Sequence, residues 1–153
     1  MYHVSITNAQ STHPIDSDRL EGAVRTILAK EGAKSATVSV AIVDNATIHR
    51  LNREYLKHDE PTDVLSFVLD ENEKTLDGEV VVSADTAAAT AARFGWTADD
   101  EVLLYVVHGT LHLLGYDDRQ PDALRQMRDR ERHYLGTLGL SPRYDETGQI
   151  AAV

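Results

Sequence analysis

Apolar residues recur along this chain with two periods, and the points where the period changes divide it into strands and helices. Tyr2 to Thr7 alternates apolar and polar positions, as a half-buried strand does. Asp16 or Ser17 then caps a helix that runs to about Glu31, with Leu20, Val24, Ile27 and Leu28 on one stripe. Thr37 to Val43 reads as a second strand, and Asp44 opens a helix through Tyr55 that turns Ile48, Leu51 and Tyr55 inward. Val64 to Val68 and Glu79 to Ser83 give a third and a fourth strand. Between them the acidic run Asp70 to Lys74, with Gly78 at its end, has the composition of a mobile surface segment. An alanine-rich helix covers Ala84 to Arg93 and breaks at Gly95-Trp96. A final helix from Pro121 to Leu138 sets Leu124, Met127, Tyr134, Leu135 and Leu138 toward the core. Residues 141–153 carry no apolar period and read as a frayed tail behind a single domain over 1–140. With the helix considered next, four strands and five helices in this order predict one mixed sheet with helices packed on it.

The helix between Trp96 and Pro121 carries the chemistry. Val102 to Leu114 is apolar almost throughout, with Thr97 and Asp100 placed as a capping box and Gly115 as a left-handed stop. His108 and His112 interrupt it. Residues four apart on a helix have Cβ atoms about 5–6 Å apart, so both rings reach one point in space. Polar rings inside an apolar helix must find partners, either as satisfied core histidines or as ligands of a metal ion. Asp118 lies three residues beyond Gly115, where a reversing chain returns a carboxylate to the same point. Three protein ligands with a fourth position left open is the arrangement of a catalytic metal site. Metzincin proteases share the H-x-x-x-H-x-x-G spacing but place a glutamate base directly after the first histidine. Here that residue is Gly109, which supplies no proton acceptor, so peptide hydrolysis by that route is disfavoured.

Composition narrows the partners. The 153 residues suffice for one hydrophobic core, and the absence of cysteine leaves any metal to His and carboxylate ligands. No apolar run approaches the ~20 residues that span a bilayer, and no basic-then-apolar leader opens the chain, so a soluble, cytoplasmic protein without membrane contact is expected. A formal net charge of −10 opposes generic attraction to nucleic acid, and no DNA partner is expected. Any RNA contact must be local. Two basic clusters stand out: Arg50, Arg53, Lys57 and His58 at one helix end, and Arg125, Arg128 and Arg132 at helical spacing, interleaved with Asp122, Asp129 and Glu131. Solvated faces are the plainer reading of both.

Three stretches together resemble the YbeY family of bacterial endoribonucleases, also called rRNA maturation factors. They are Leu51 to Phe67, which contains Pro61-Thr62-Asp63-Val64-Leu65-Ser66-Phe67, then Gly78 to Ser83, then His108 to Asp118. They occur in the family's order and spacing, over roughly residues 2–140. The resemblance implies an α+β fold with a four-stranded mixed sheet and a metal-dependent hydrolase, usually assigned zinc, with one divalent ion per chain. It further implies cleavage of single-stranded RNA in maturing the small-subunit rRNA, a part in ribosome quality control, and the small subunit or its proteins as partners. The family's first two zinc histidines fall on His108 and His112, and its third falls on Asp118, where most members have histidine.

That replacement lowers the net charge of the site by one unit, which weakens acidification of bound water and favours harder, less zinc-selective binding. The two-His-one-carboxylate set is shared by non-haem iron oxygenases, which spread their ligands over a β-barrel. At Leu56 many members carry an arginine that faces the cleft and the RNA phosphate, and leucine cannot clamp a phosphate. Lys57 or His58 in the following loop are the candidate substitutes. Asp63 is a candidate to line the cleft and equally a strand-start turn residue, while Asp117 either orients a histidine or holds its own loop. The rival to the nuclease is a non-catalytic ribosome-assembly binding protein with a structural metal, whose acidic surface docks on a basic ribosomal protein.

Overall fold

The computed structural model describes residues 1–56, 63–71 and 75–144. Its elements follow as β1 (Tyr2–Asn8), α1 (Ser17–Lys30), β2 (Ser35–Val43), α2 (Asn45–Leu56), β3 (Val64–Glu71), β4 (Thr75–Ser83), α3 (Ala84–Phe94), α4 (Ala98–Leu113) and α5 (Pro121–Gly136). One four-stranded sheet has the order β1-β2-β4-β3. β1 and β2 are parallel, as are β2 and β4, while β3 and β4 form an antiparallel hairpin. The α+β class with a mixed sheet and five helices is therefore as expected.

Strand alternation sorts the side chains onto two faces. Val4, Val38, Val40, Ile42, Val80 and Val82 point to the face covered by α1, α3, α4 and α5 and form the main core with them. Val43, Leu65 and Val81 point to the other face, where Ile48 of α2 closes a small second cluster. Helix α4 lies in the middle of the thicker layer and is buried from Glu101 through Leu111. A helix enclosed on all sides reads as apolar all round, which is why its sequence shows no stripe. Its start is the expected one: the Thr97 side chain accepts from Asp100 N at 3.0 Å.

Two glycines let α4 approach the sheet. A Cβ on Gly109 would stand 2.6 Å from Val80 Cγ1 and 3.0 Å from Ser66 Oγ, and one on Gly78 of β4 would stand 2.8 Å from Leu113 Cδ1. Both positions are held by backbone-to-side-chain contact that no larger residue fits.

Four local expectations change. Tyr55 is not inward but 66 % exposed, because α2 covers only one corner of the sheet and its last turn overhangs the edge; the ring meets Phe67 edge-on at 6.2 Å. Leu138 is also exposed, since α5 stops at Gly136 and the chain turns at Gly139 with φ +77°. The acidic run is partly strand: Asp70 and Glu71 pair with Asp77 and Leu76 beyond a bulge, so β3 and β4 extend further than their apolar centres. Residues 141–144 pack back instead of fraying, with Tyr144 against the main core and Arg143 donating to Phe94 O.

Candidate metal centre

The end of α4 and the loop after it build a three-donor cluster. His108 and His112 stack edge to face with ring centroids 4.5 Å apart, as their i, i+4 spacing requires. Gly115 takes φ +100°, Tyr116 N bonds back to Leu111 O, and the reversed chain brings Asp118 over the rings. Asp118 Oδ2 lies 3.3 Å from His108 Nε2 and 3.5 Å from His112 Nε2. One donor atom from each residue falls within 4.8 Å of the others.

This geometry admits a divalent ion. Ligands held about 2.1 Å from a tetrahedral ion stand about 3.4 Å from each other, which matches both Asp118-to-histidine distances. The electrostatics agree. Burial opposes a charged imidazole at His108, yet hydrogen bonding to Asp118 and Glu131 outweighs it and pushes the ring up to about 9. The same bonds, with His108 and His112 as partners, hold Asp118 well below the usual carboxylate range. The cluster thus draws positive charge to a point between Nε2 and Oδ2. His112 is 27 % and Asp118 35 % exposed while His108 is buried, so the point is sealed behind and open in front.

Behind His108 stands a residue that sequence reasoning did not select. His108 Nδ1 donates to Glu131 Oε2 of α5 at 2.7 Å, and Glu131 is fully buried. Arg128 NH1 donates to both Glu131 oxygens at 2.7 and 2.9 Å, and the Tyr144 hydroxyl donates to Oε1 at 2.6 Å. Burial raises the Glu131 carboxyl, but His108 and Arg128 reverse the sign and keep it ionised. The signal was present in the sequence: Glu131 sits four residues after Met127 and four before Leu135, on the apolar stripe of α5, where a carboxylate has no place without a partner. Arg128, read as part of a basic face, is likewise buried, whereas Arg125 and Arg132 remain exposed and pair with Asp122 and Asp129.

The other candidates are placed differently. Asp117 accepts from Asp118 N at 2.8 Å, so it braces the loop after α4, while Glu131 is the carboxylate that bonds the His108 ring. Asp63 is buried at the entry to β3, where its Oδ1 accepts from Val64 N at 2.8 Å. Its charge acts on Glu101 and Tyr105, earlier on α4 than His108 and His112. Lys57 and His58 lie outside the described residues. Ser66 Oγ donates to Gly109 O at 3.2 Å, tying β3 to α4. The contacts at Gly109 also leave no room for a protease's glutamate beside His108. No described helix is long and apolar enough to cross a membrane.

The family model described as Endoribonuclease YbeY matches residues 5–139. A protein of that name from Carboxydothermus hydrogenoformans is 43 % identical over 139 residues, covering 88 % of this chain and 96 % of the relative. Another from Salinibacter ruber is 37 % identical over 147 residues, covering 91 % and 94 %. The solution structure of TM1509 from Thermotoga maritima superposes with a TM-score of 0.62 at 26 % identity, covering 91 % of this chain and 92 % of that one.

Proposed function

The chain belongs to the Endoribonuclease YbeY family, and from that premise we propose that it is a metal-dependent endoribonuclease that cuts single-stranded RNA. The observation that carries the reading is the convergence of His108 Nε2, His112 Nε2 and Asp118 Oδ2 on one point that is open on one side. We assign these three residues as the ligands of one divalent ion, zinc being the family expectation. When bound, such an ion supplies Lewis acidity toward a phosphodiester oxygen. The protein's own part is to hold the donor atoms: Gly115 sets the turn, Asp117 braces it, and Ser66 fixes the helix against the sheet. The half-exposure of His112 and Asp118 favours this reading over a structural metal in a binding protein, because a structural site closes all four positions with protein ligands.

The finer assignments extend the same proposal. They are maturation of small-subunit rRNA, ribosome quality control, the ribosomal small subunit or its proteins as partners, a cytoplasmic location, and a single domain that the packing of residues 141–144 carries past the 1–140 expected from the sequence. The charge of −10 supports a substrate delivered by local contacts or by a partner, since long-range attraction of RNA is absent. The test is end-labelled single-stranded RNA, with duplex RNA and single-stranded DNA of the same sequence alongside. Cleavage of the first alone is expected, lost on chelation and in His108→Ala. Cleavage that continues after verified removal of the metal refutes the mechanism.

A further inference from the structure

We propose that Glu131 is a positioning residue of this metal centre, held in place by Arg128 and by Tyr144 from the C-terminal segment. The inference rests on the metal reading above and asks what prepares the site for its ion. His108 has one ring nitrogen for a ligand and one for the protein. Glu131 Oε2, 2.7 Å from Nδ1, keeps the proton on that nitrogen, so Nε2, which faces Asp118 and His112, is the nitrogen that gives up its proton to an incoming ion. A carboxylate in that place fixes the tautomer, locks the ring about its Cβ–Cγ bond and makes the imidazole a stronger donor.

Stability alone does not account for Glu131. It occupies a fully buried position on the apolar stripe of α5, where a well-packed aliphatic residue serves the core as well as or better than an ion pair. Once the carboxylate is there, every acceptor site is filled. Arg128 NH1 reaches both oxygens and Tyr144 donates to Oε1, while the Arg128 guanidinium stacks on the Tyr144 ring at 4.4 Å. The chain brings Tyr144 from eight residues beyond the end of α5, anchored on the way by Arg143 over the Trp96 ring at 5.7 Å. Residues 141–144 are thus part of the centre although they bear no ligand.

The test is a zinc-competition titration against a chromophoric chelator on the full chain, with circular dichroism to establish folding and the visible bands of the Co2+-substituted protein as a second readout. Glu131→Gln keeps the shape of the side chain and removes its charge. It should weaken zinc about 10–100-fold and shift the cobalt bands. Tyr144→Phe deletes one hydrogen bond to Glu131 and should weaken zinc in the same direction by about two- to fivefold. Glu101→Gln, at a buried carboxylate of α4 that contacts no ligand, should leave affinity within twofold. Wild-type binding that Glu131→Gln leaves unchanged, or that Glu101→Gln weakens as much, overturns the inference while the proposed function stands. If Glu131→Gln does not fold, Tyr144→Phe decides: wild-type affinity and cobalt bands in that variant overturn the inference. A wild-type chain that binds no metal overturns both.

Discussion

Replacing Glu101 with glutamine should make this protein more stable at pH 8 and leave it nearly unchanged at pH 4. Glu101 is fully buried on α4, and its Oε1 accepts from the Trp96 indole at 2.7 Å. Burial raises its carboxyl from 4.5 to about 7; the Trp96 hydrogen bond opposes the rise, and the Asp63 and Glu131 charges add to it. The native state therefore holds a proton here that the unfolded chain releases near pH 4.5. Stability from this group is complete below pH 4.5 and is lost as pH rises through about 7. At about 1.36 kcal/mol per pH unit, that interval bounds the loss at about 3 kcal/mol. For a chain of this size the loss corresponds to about 6–12 °C in Tm. Glutamine keeps the acceptor for Trp96 and cannot ionise. Thermal and urea melts of wild type and Glu101→Gln from pH 4 to 8 isolate the effect, because every other titrating group is common to both. Parallel stability curves across that range would refute the reasoning.

Two further outcomes follow from the packing and from the ligand set. Gly109→Ala forces a Cβ to within 2.6 Å of Val80 Cγ1, so overpacking should outweigh the gain in helix propensity and cost about 1–2 kcal/mol in urea melts; a more stable variant would contradict the close approach. Asp118→His should tighten zinc relative to Mn2+ by restoring a neutral third ligand, Asp118→Ala should weaken all metals, and Asp117→Asn should retain the metal, each read by competition titration. Wild-type affinity in Asp118→Ala would remove Asp118 from the ligand set.

Local physics made much of this molecule readable before its fold was known. The i, i+4 pair His108 and His112, the Gly115 stop and the returning Asp118 lie within eleven residues, and helix geometry alone sets their relation. The strands were recognisable from alternation and α4 from its Thr97 cap, because both are nearest-neighbour properties.

What joins residues far apart in the chain was decided by tertiary packing. Nothing local orders the sheet β1-β2-β4-β3 or leaves Tyr55 overhanging its edge, since both depend on which strand lies beside which. Glu131 is 23 residues from His108 and sits among charged neighbours, so in one dimension it passed for a solvated face. Only the docking of α5 on α4 desolvates it and turns it into the partner of the histidine. Residues 141–144 carry no local signal for the same reason, as Tyr144 finds its ring partner and its acceptor only once both helices are in place. Which side chains could meet around an ion was legible in the chain alone, because the His108–Asp118 motif is short. The tertiary structure decided what holds those atoms ready, because a buried carboxylate is stable only where several distant segments meet to satisfy it.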